Sequence, residues 1–157
     1  MAAELEYRYT GGAANANPDL SLGGTSSSVE VVSLALNNLF DNVLPTDIDT
    51  GDHVSYRAFD IHNAGDGSAL HVEFFLTDTP NAESIVAVGF DSVGTQSIAN
   101  DTTAPTGITF TTPLTGSKLA LANLAAGSAH RMWIRRTVDQ GATNINDDTA
   151  ILQCWFS

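Results

Sequence analysis

Basic residues and cysteines are scarce in this chain. Its 157 residues include six Lys and Arg against 18 Asp and Glu, which gives a formal net charge of −12. Proteins that bind duplex nucleic acid gain much of their affinity by neutralising phosphates with Lys and Arg, so this balance argues against nucleic acid as a direct partner. The single cysteine, Cys154, excludes an internal disulfide, and its apolar neighbours predict a buried thiol.

Long apolar runs are also missing. No segment approaches the roughly 18 apolar residues that a membrane-spanning helix needs. The N-terminal residues have neither the basic region nor the apolar region of a secretory signal. These absences predict a protein that is made in a cytoplasm and has no membrane partner.

Sequence signatures of catalysis and of cofactor binding are absent as well. The chain has no Gly-x-Ser-x-Gly elbow, no Walker-type phosphate loop and no Gly-x-Gly-x-x-Gly motif. The four histidines lack the spacing of a metal site. The segment Asp47 to Asp52 resembles a calcium loop, but its glycine is misplaced for an EF-hand and the distal Glu is missing, and Asn144 to Asp148 is similar. We therefore expect solvated turn carboxylates, no cofactor and no enzyme activity.

The segments that are present have the pattern of β-strands. Short apolar runs alternate with turn residues, and no convincing amphipathic helix interrupts them, which predicts an all-β chain of about seven to nine strands. The expected fold is a single immunoglobulin-like or jelly-roll β-sandwich. Two segments, Phe59 to Leu76 and Leu119 to Val138, each consist of an apolar run, a group of turn residues and a second apolar run. In the first, we expect His53 to His62 to pair with Leu70 to Thr77 in a hairpin, so that His62 and His71 face each other.

The N-terminal part of the chain has a composition of its own. Residues 1–28 are expected to form an N-terminal strand and an extended arm, and residues 29–157 the sandwich domain. Between Gly11 and Ser28 the chain is rich in Gly, Ala, Asn and Ser and has little to bury. We therefore expect a neighbouring subunit to hold this arm.

The most distinctive local pattern is a tryptophan among arginines. Strand alternation would put Arg131, Trp133 and Arg135 on one face and Arg136 on the other. An exposed Trp beside Arg is typical of a protein interface, whereas the alternative places Trp133 in the core and pairs the arginines with acids of the same sheet. The candidate interface residues are Tyr7, Tyr9, Asn15, Asn17, Arg131, Trp133, Arg135 and Arg136.

Several segments carry a resemblance to a known family. Tyr7 to Gly24, Asn37 to Asn42, His62-Asn63 and Trp133 to Val138 resemble small virion proteins of tailed bacteriophages. The resemblance implies a capsid decoration or cement protein that sits on the outer capsid surface of the virion. Its implied partners are the major capsid protein, whose neighbouring subunits it bridges, and other copies of itself, most often in a homotrimer.

Two other functions stay open at this point. A tail-tube, tail-tip or fibre component is the nearest structural alternative. A glycan-binding β-sandwich module is an alternative of another class, and in it Trp133, Trp155 or Tyr56 would form a platform on which a sugar stacks.

Overall fold

The computed structural model describes residues 2–31, 39–78, 83–143 and 150–157. It confirms the prediction of an all-β chain, because the described residues form two antiparallel sheets and contain only two short 3-10 turns besides. The strands are β1 (Leu5–Thr10), β2 (Ser26–Glu30), β3 (His53–Asn63), β4 (Glu73–Asp78), β5 (Ser84–Asp91), β6 (Leu119–Ala120), β7 (Ala129–Val138) and β8 (Ile151–Trp155), and the 3-10 turns are Pro18–Leu20 and Pro45–Asp47.

The two sheets pack as a β-sandwich. The larger has the strand order β2-β1-β3-β7-β5 and the smaller the order β6-β4-β8. Because side chains alternate between the two faces of a strand, every second residue of β3, β7, β4 and β8 turns inward. The core between the sheets includes Phe59, Ile61, Met132, Ile134, Phe74 and Leu152.

The predicted hairpin between His53 and Thr77 is wrong. Strand β3 pairs with β1 and β7 in the large sheet, whereas β4 pairs with β6 and β8 in the small one. The predicted turn is a crossing between sheets, and the Asn63 side chain shapes it by accepting from Gly65 N at 3.1 Å and donating to Gly67 O at 2.8 Å and Leu124 O at 3.0 Å. His62 and His71 consequently do not face each other.

The segment from Leu119 to Val138 also crosses from one sheet to the other. Strand β6 lies in the small sheet and β7 in the large one. The two crossings run side by side, because Ala69 bridges to Leu124 and Asn63 exchanges backbone hydrogen bonds with the turn at Gly127 and Ser128. Turn residues between two apolar runs are thus compatible with a hairpin and with a sheet crossing alike.

The N-terminal segment belongs to the large sheet. The predicted first strand is confirmed as β1, which lies between β2 and β3. The residues between β1 and β2 form a long hairpin loop that folds back on the same sheet, where Ser21 O accepts a hydrogen bond of 2.8 Å from Ala58 N. Hydrogen bonds within the chain therefore hold this segment, and its contact with a neighbouring subunit stays a prediction. A domain boundary at residue 28 stays a prediction. The apolar run at residues 29–36, which by its composition could form a strand, lies mostly outside the described residues.

The segment after β5 also returns to the large sheet. Val88 and Thr111 exchange two backbone hydrogen bonds of 2.7 and 2.9 Å, so this part of the segment continues the sheet beyond β5. Gly89 permits the close approach, because a Cβ there would lie 2.5 Å from the carbonyl oxygen of Thr109. Residues 108–111 thus contribute a single β-bridge and no further strand.

Candidate interaction surfaces

The two sheets differ in what covers their outer faces. We call the outer face of the large sheet the closed face, because the loops around Gly23 and Gln96 of the same chain lie over it. We call the outer face of the small sheet, formed by Glu73, Phe75, Gln153 and Trp155, the open face. Each face contains one of the two tryptophans of the chain.

Trp133 lies at the centre of the closed face. It is paired in register with Ala58 and Gly89, and its side chain is 0% exposed. Gly23 of the hairpin loop covers the ring so tightly that a Cβ on that glycine would lie 2.9 Å from it. The indole Nε1 donates to Asp91 Oδ2 at 3.4 Å. Trp133 is therefore a core residue, and the expectation of an exposed interface tryptophan at this position is corrected.

Arg131 is buried beside Trp133 and makes an ion pair inside the chain. Its Nε donates to Asp60 Oδ1 at 2.5 Å and its Nη2 to Asp60 Oδ2 at 3.0 Å. The same Nη2 donates to the carbonyl oxygen of Gly24 at 2.8 Å, and Ser26 Oγ also donates to Asp60. The pair fastens the hairpin loop to the sheet. The Arg131 side chain thus makes its ion pair within the chain and is not presented to a partner. This agrees with the alternative interpretation, in which the arginines pair with acids of the same sheet.

Asp91 directs the path of the segment after β5. Its Oδ1 accepts from Val93 N and Gly94 N, each at 3.0 Å, and its Oδ2 accepts from Gln96 Nε2 at 3.0 Å. Burial raises the pKa of this carboxyl, but hydrogen bonds from Gly94, Gln96, Val93 and Trp133 stabilise the charged form and leave the pKa below its usual value. The ionised carboxylate thus links the segment after β5 to the Trp133 indole.

Sequence reasoning missed Arg57, which closes one end of the sandwich. Its guanidinium is buried and lies 3.2 Å from a carboxylate oxygen of Asp101, 3.4 Å from Asp41 and 3.7 Å from Asp19. It also lies 5.6 Å from the centroid of the Phe40 ring. The three carboxylates come from three separate loops, so one cation ties these loops together. An arginine within the apolar run of β3 was the available signal, because a buried charge needs partners.

Arg135 and Arg136 also contact their own chain. The Arg135 guanidinium lies 5.1 Å from the centroid of the Phe110 ring, on the closed face. Arg136 points to the opposite face, where its guanidinium lies 4.8 Å from the Phe40 ring and its Nη2 donates to Asp41 O at 2.7 Å. Both side chains are half-buried. Contact between either arginine and an acidic neighbour stays a prediction.

The two candidate tyrosines face the core between the sheets. The Tyr7 ring packs edge-on against Phe74, with 6.5 Å between centroids, and the Tyr9 ring packs against Phe59 at 6.0 Å. Burial raises the pKa of the Tyr7 hydroxyl well above its usual value, and the nearby Cys154 thiol adds to the shift. The contacts that the structure shows for both tyrosines are thus core contacts within the chain.

The two candidate asparagines shape the hairpin loop. Asn15 Nδ2 donates to Thr10 O at 2.6 Å and to Asn17 O at 3.0 Å, and Asn15 Oδ1 accepts from Asn17 N at 2.9 Å. Asn17 in turn accepts from Asp19 N at 3.0 Å and begins the first 3-10 turn. These bonds fix the loop on its inner side. Next to them, the Leu20 side chain is 57% exposed.

The open face presents an aromatic pair beside one ion pair. Glu73 is in register with Trp155 and Phe75 with Gln153, so the four side chains share a surface. Lys118 Nζ lies 4.9 Å from the Trp155 ring centroid, 5.4 Å from the Phe75 centroid and 2.9 Å from Glu73 Oε2. Trp155 is 54% exposed, so a partner can reach its ring.

Every basic side chain of the protein has a carboxylate or an aromatic ring of the same chain beside it. These six residues are Arg8, Arg57, Lys118, Arg131, Arg135 and Arg136. The net charge of −12 is therefore displayed mainly as carboxylates on loops and sheet edges.

The acidic loops are used in local hydrogen bonds. Asp47 Oδ2 accepts from Leu44 N at 2.8 Å, and Asp52 Oδ1 accepts from Gln140 N at 2.9 Å. Within residues 2–31, 39–78, 83–143 and 150–157, no three His, Cys, Asp or Glu side chains are placed to hold a metal ion. The second acidic loop, at residues 144–148, lies outside the described residues. The described part of the chain also contains no helix that is long and apolar enough to span a membrane.

The fold and these two faces were compared with known proteins. No family model, no curated protein and no solved structure matches the chain.

Proposed function

We propose that this protein is a structural component of a tailed-phage virion and acts as a capsid decoration protein. It would bind the outer surface of the shell, bridge neighbouring subunits of the major capsid protein and occupy the lattice as a homotrimer. The observation that carries this proposal is the hairpin loop of residues 11–25, a preordered polar loop with an exposed leucine. The role is one of binding, not of catalysis.

The hairpin loop is anchored along its whole length. Gly11 N donates to Thr25 O at 3.0 Å at the base of the loop. In its middle, Ser21 is 0% exposed, and its Oγ donates to Ala58 O at 2.7 Å. A loop that is already ordered loses little conformational entropy when a partner binds, so more of the contact energy contributes to affinity. Leu20, which stands outward beside Ser21, is the natural centre of such a contact.

The charge distribution supports a protein lattice as the partner. The basic side chains are engaged within the chain, so the remaining surface is acidic and complements a basic surface. A protein that binds only the assembled lattice stabilises that lattice by mass action. Because exposed charges are screened by salt, occupancy of the shell should fall as ionic strength rises.

The test is to image particles that contain this chain by electron cryomicroscopy. Density for a β-sandwich on the outer capsid, with the hairpin loop facing the shell, is the expected result. Rings or spikes on the tail would keep the virion assignment but overturn the decoration role. Absence of the chain from particles would overturn the proposal altogether.

A pair of leucine variants tests the proposed contact. Leu20→Asp puts a charge on the outward side of the hairpin loop, and we expect at least a tenfold loss of affinity for shells that lack the protein. Leu114→Asp is the matched control, because Leu114 is 46% exposed and lies outside the loop. Equal binding by both variants would show that the loop does not make the contact.

A further inference from the structure

We propose that the open face of the small sheet is a binding site for a neutral saccharide, with one sugar ring stacked on Trp155. The inference goes beyond the decoration role and uses the opposite side of the molecule. It starts from the one aromatic candidate platform that the structure leaves accessible. Trp133 is buried, and the Tyr56 ring packs against Phe110 at 5.7 Å, whereas Trp155 is 54% exposed.

The strand that carries Trp155 is fixed by the core beneath it. The inward residues of β8, Leu152 and Cys154, pack in the core between the sheets. Beyond the strand, Ser157 and Leu70 exchange two backbone hydrogen bonds of 2.8 and 2.9 Å, which hold the chain on the C-terminal side of Trp155. A ring held on a strand that is anchored on both sides binds at low entropic cost.

The polar groups around Trp155 fit the edge of a sugar. A pyranose presents an apolar face of C–H groups, which packs on an aromatic ring, and an edge of hydroxyls that donate and accept hydrogen bonds. Glu73 offers acceptors, Lys118 offers donors and the Gln153 amide offers both. All three lie beside the two rings of the open face. A purely apolar partner would desolvate the Glu73–Lys118 ion pair and offer the Gln153 amide no hydrogen bond, which is costly.

The charges of the site indicate the class of saccharide. Glu73 and Lys118 neutralise each other at 2.9 Å, so the site itself has no excess charge. The rest of the molecule is strongly acidic and would repel uronic or sialic acids. The chemistry therefore favours neutral hexoses or N-acetylhexosamines. None of the contacts uses a metal, so binding should be the same in calcium and in EDTA.

The experiment uses the full chain and a panel of neutral hexasaccharides: maltohexaose, cellohexaose, mannohexaose and chitohexaose. Affinity is measured by titration calorimetry, and the exposure of Trp155 by acrylamide quenching of fluorescence. We expect at least one sugar to bind at millimolar concentration or below and to protect Trp155 from the quencher. Absence of binding by all four would overturn the proposal.

Variants identify the site of binding. Trp155→Ala should lower the affinity for the bound sugar at least tenfold, Trp155→Phe should restore part of it, and Gln153→Ala should cause a smaller loss. Val93→Ala is the control, because Val93 is another exposed apolar side chain and lies outside the open face. Undiminished binding by Trp155→Ala would place the sugar elsewhere. Near-ultraviolet circular dichroism confirms that each variant is folded.

The two proposals can fail separately. Leu20→Asp should leave sugar affinity unchanged, and Trp155→Ala should leave occupancy of the shell unchanged. If Trp155→Ala abolishes shell binding instead, the open face is a protein contact and the saccharide proposal is wrong.

Discussion

The two tryptophans of this chain have opposite surroundings although both lie on the outer face of a sheet. Trp133 in β7 is 0% exposed beneath the hairpin loop and the segment after β5, and Trp155 in β8 is 54% exposed. Their own strands do not cause this difference. It arises because glycine and aspartate at distant turns bring two loops over Trp133, whereas Trp155 stays more than half exposed.

The charged pairs repeat the contrast. Asp60 and Arg131 on the closed face have side chains that are 3% and 1% exposed, whereas Glu73 and Lys118 on the open face are 31% and 30% exposed. Both pairs couple a carboxylate to a cation beside a tryptophan. One is part of the covered interior and the other remains available to solvent and to a partner, so coverage determines whether such a group is structural or can bind.

The largest expected effect comes from truncating each tryptophan. Trp133→Ala leaves a cavity under the loops and should lower the free energy of unfolding by about 3 to 5 kcal/mol. Trp155→Ala removes mainly a cation–π contact with Lys118 and should cost about 1 kcal/mol or less. Urea denaturation of both variants measures the difference. Similar losses would mean that the open face is as important to stability as the closed one.

Breaking one ion pair on each face gives the next comparison. Arg131→Met leaves the Asp60 carboxylate buried without its cation and should destabilise the protein by about 3 to 5 kcal/mol. Lys118→Met breaks the more exposed pair and should cost about 0 to 1 kcal/mol. Denaturant midpoints with unchanged slopes would report these values. If Lys118→Met lowered the free energy of unfolding more than Arg131→Met, the exposed pair and not the buried one would be the structural pair.

A pair of glycine variants tests how tightly the hairpin loop packs on the large sheet. Gly23→Ala places a Cβ 2.2 Å from Gln96 O at a φ of +88°, whereas Gly107→Ala has a φ of +72° and open space around it. Both variants suffer the strain of a positive φ, about 1 to 2 kcal/mol, and only the first adds a backbone clash of about 1 to 3 kcal/mol. Thermal unfolding should show the difference. Equal melting temperatures would indicate that the loop shifts freely over Trp133.

Much of the architecture was predictable from local patterns. Alternation in β3, β4 and β7 gave an all-β sandwich, and it also gave the shared face of Arg131 and Trp133. The pairing of the strands was not predictable, because residues 63–67 have the composition of a hairpin turn. The Asn63 amide selects the crossing by bonding Leu124, a residue 61 positions away.

The surroundings of the candidate site were less accessible to sequence reasoning. Whether Trp133 was exposed or buried depended on Gly23, 110 residues earlier, whose lack of a side chain lets the loop cover the ring. The contact of Lys118 with Trp155 depended on β4 lying between β6 and β8. Both are relations between segments that are distant in sequence, and no local period encodes them.

The smallest expected effect is a pH dependence that arises on both sides of the large sheet, from His130 on the core side, where its ring packs against Phe90, and from Asp91 on the closed face. Burial lowers the pKa of His130 below its usual value of 6.5, although the nearby Asp91 and Asp60 oppose the shift. The folded state therefore binds this proton less readily than the unfolded state. The resulting stability is complete above the unfolded pKa and is lost as pH falls through the lower folded pKa.

His130→Gln tests this dependence directly. The variant should lose the part of the pH slope that lies below about pH 6.5, the ordinary pKa of histidine. Asp91→Asn should remove a second decline at lower pH, because the depressed pKa of Asp91 gives stability that is present above the carboxyl's ordinary value and is lost as pH falls through the folded one. Urea unfolding from pH 8 to about pH 2 covers both declines, because the ordinary carboxyl pKa of Asp is about 3.9. A wild-type slope in His130→Gln would assign the proton to another group.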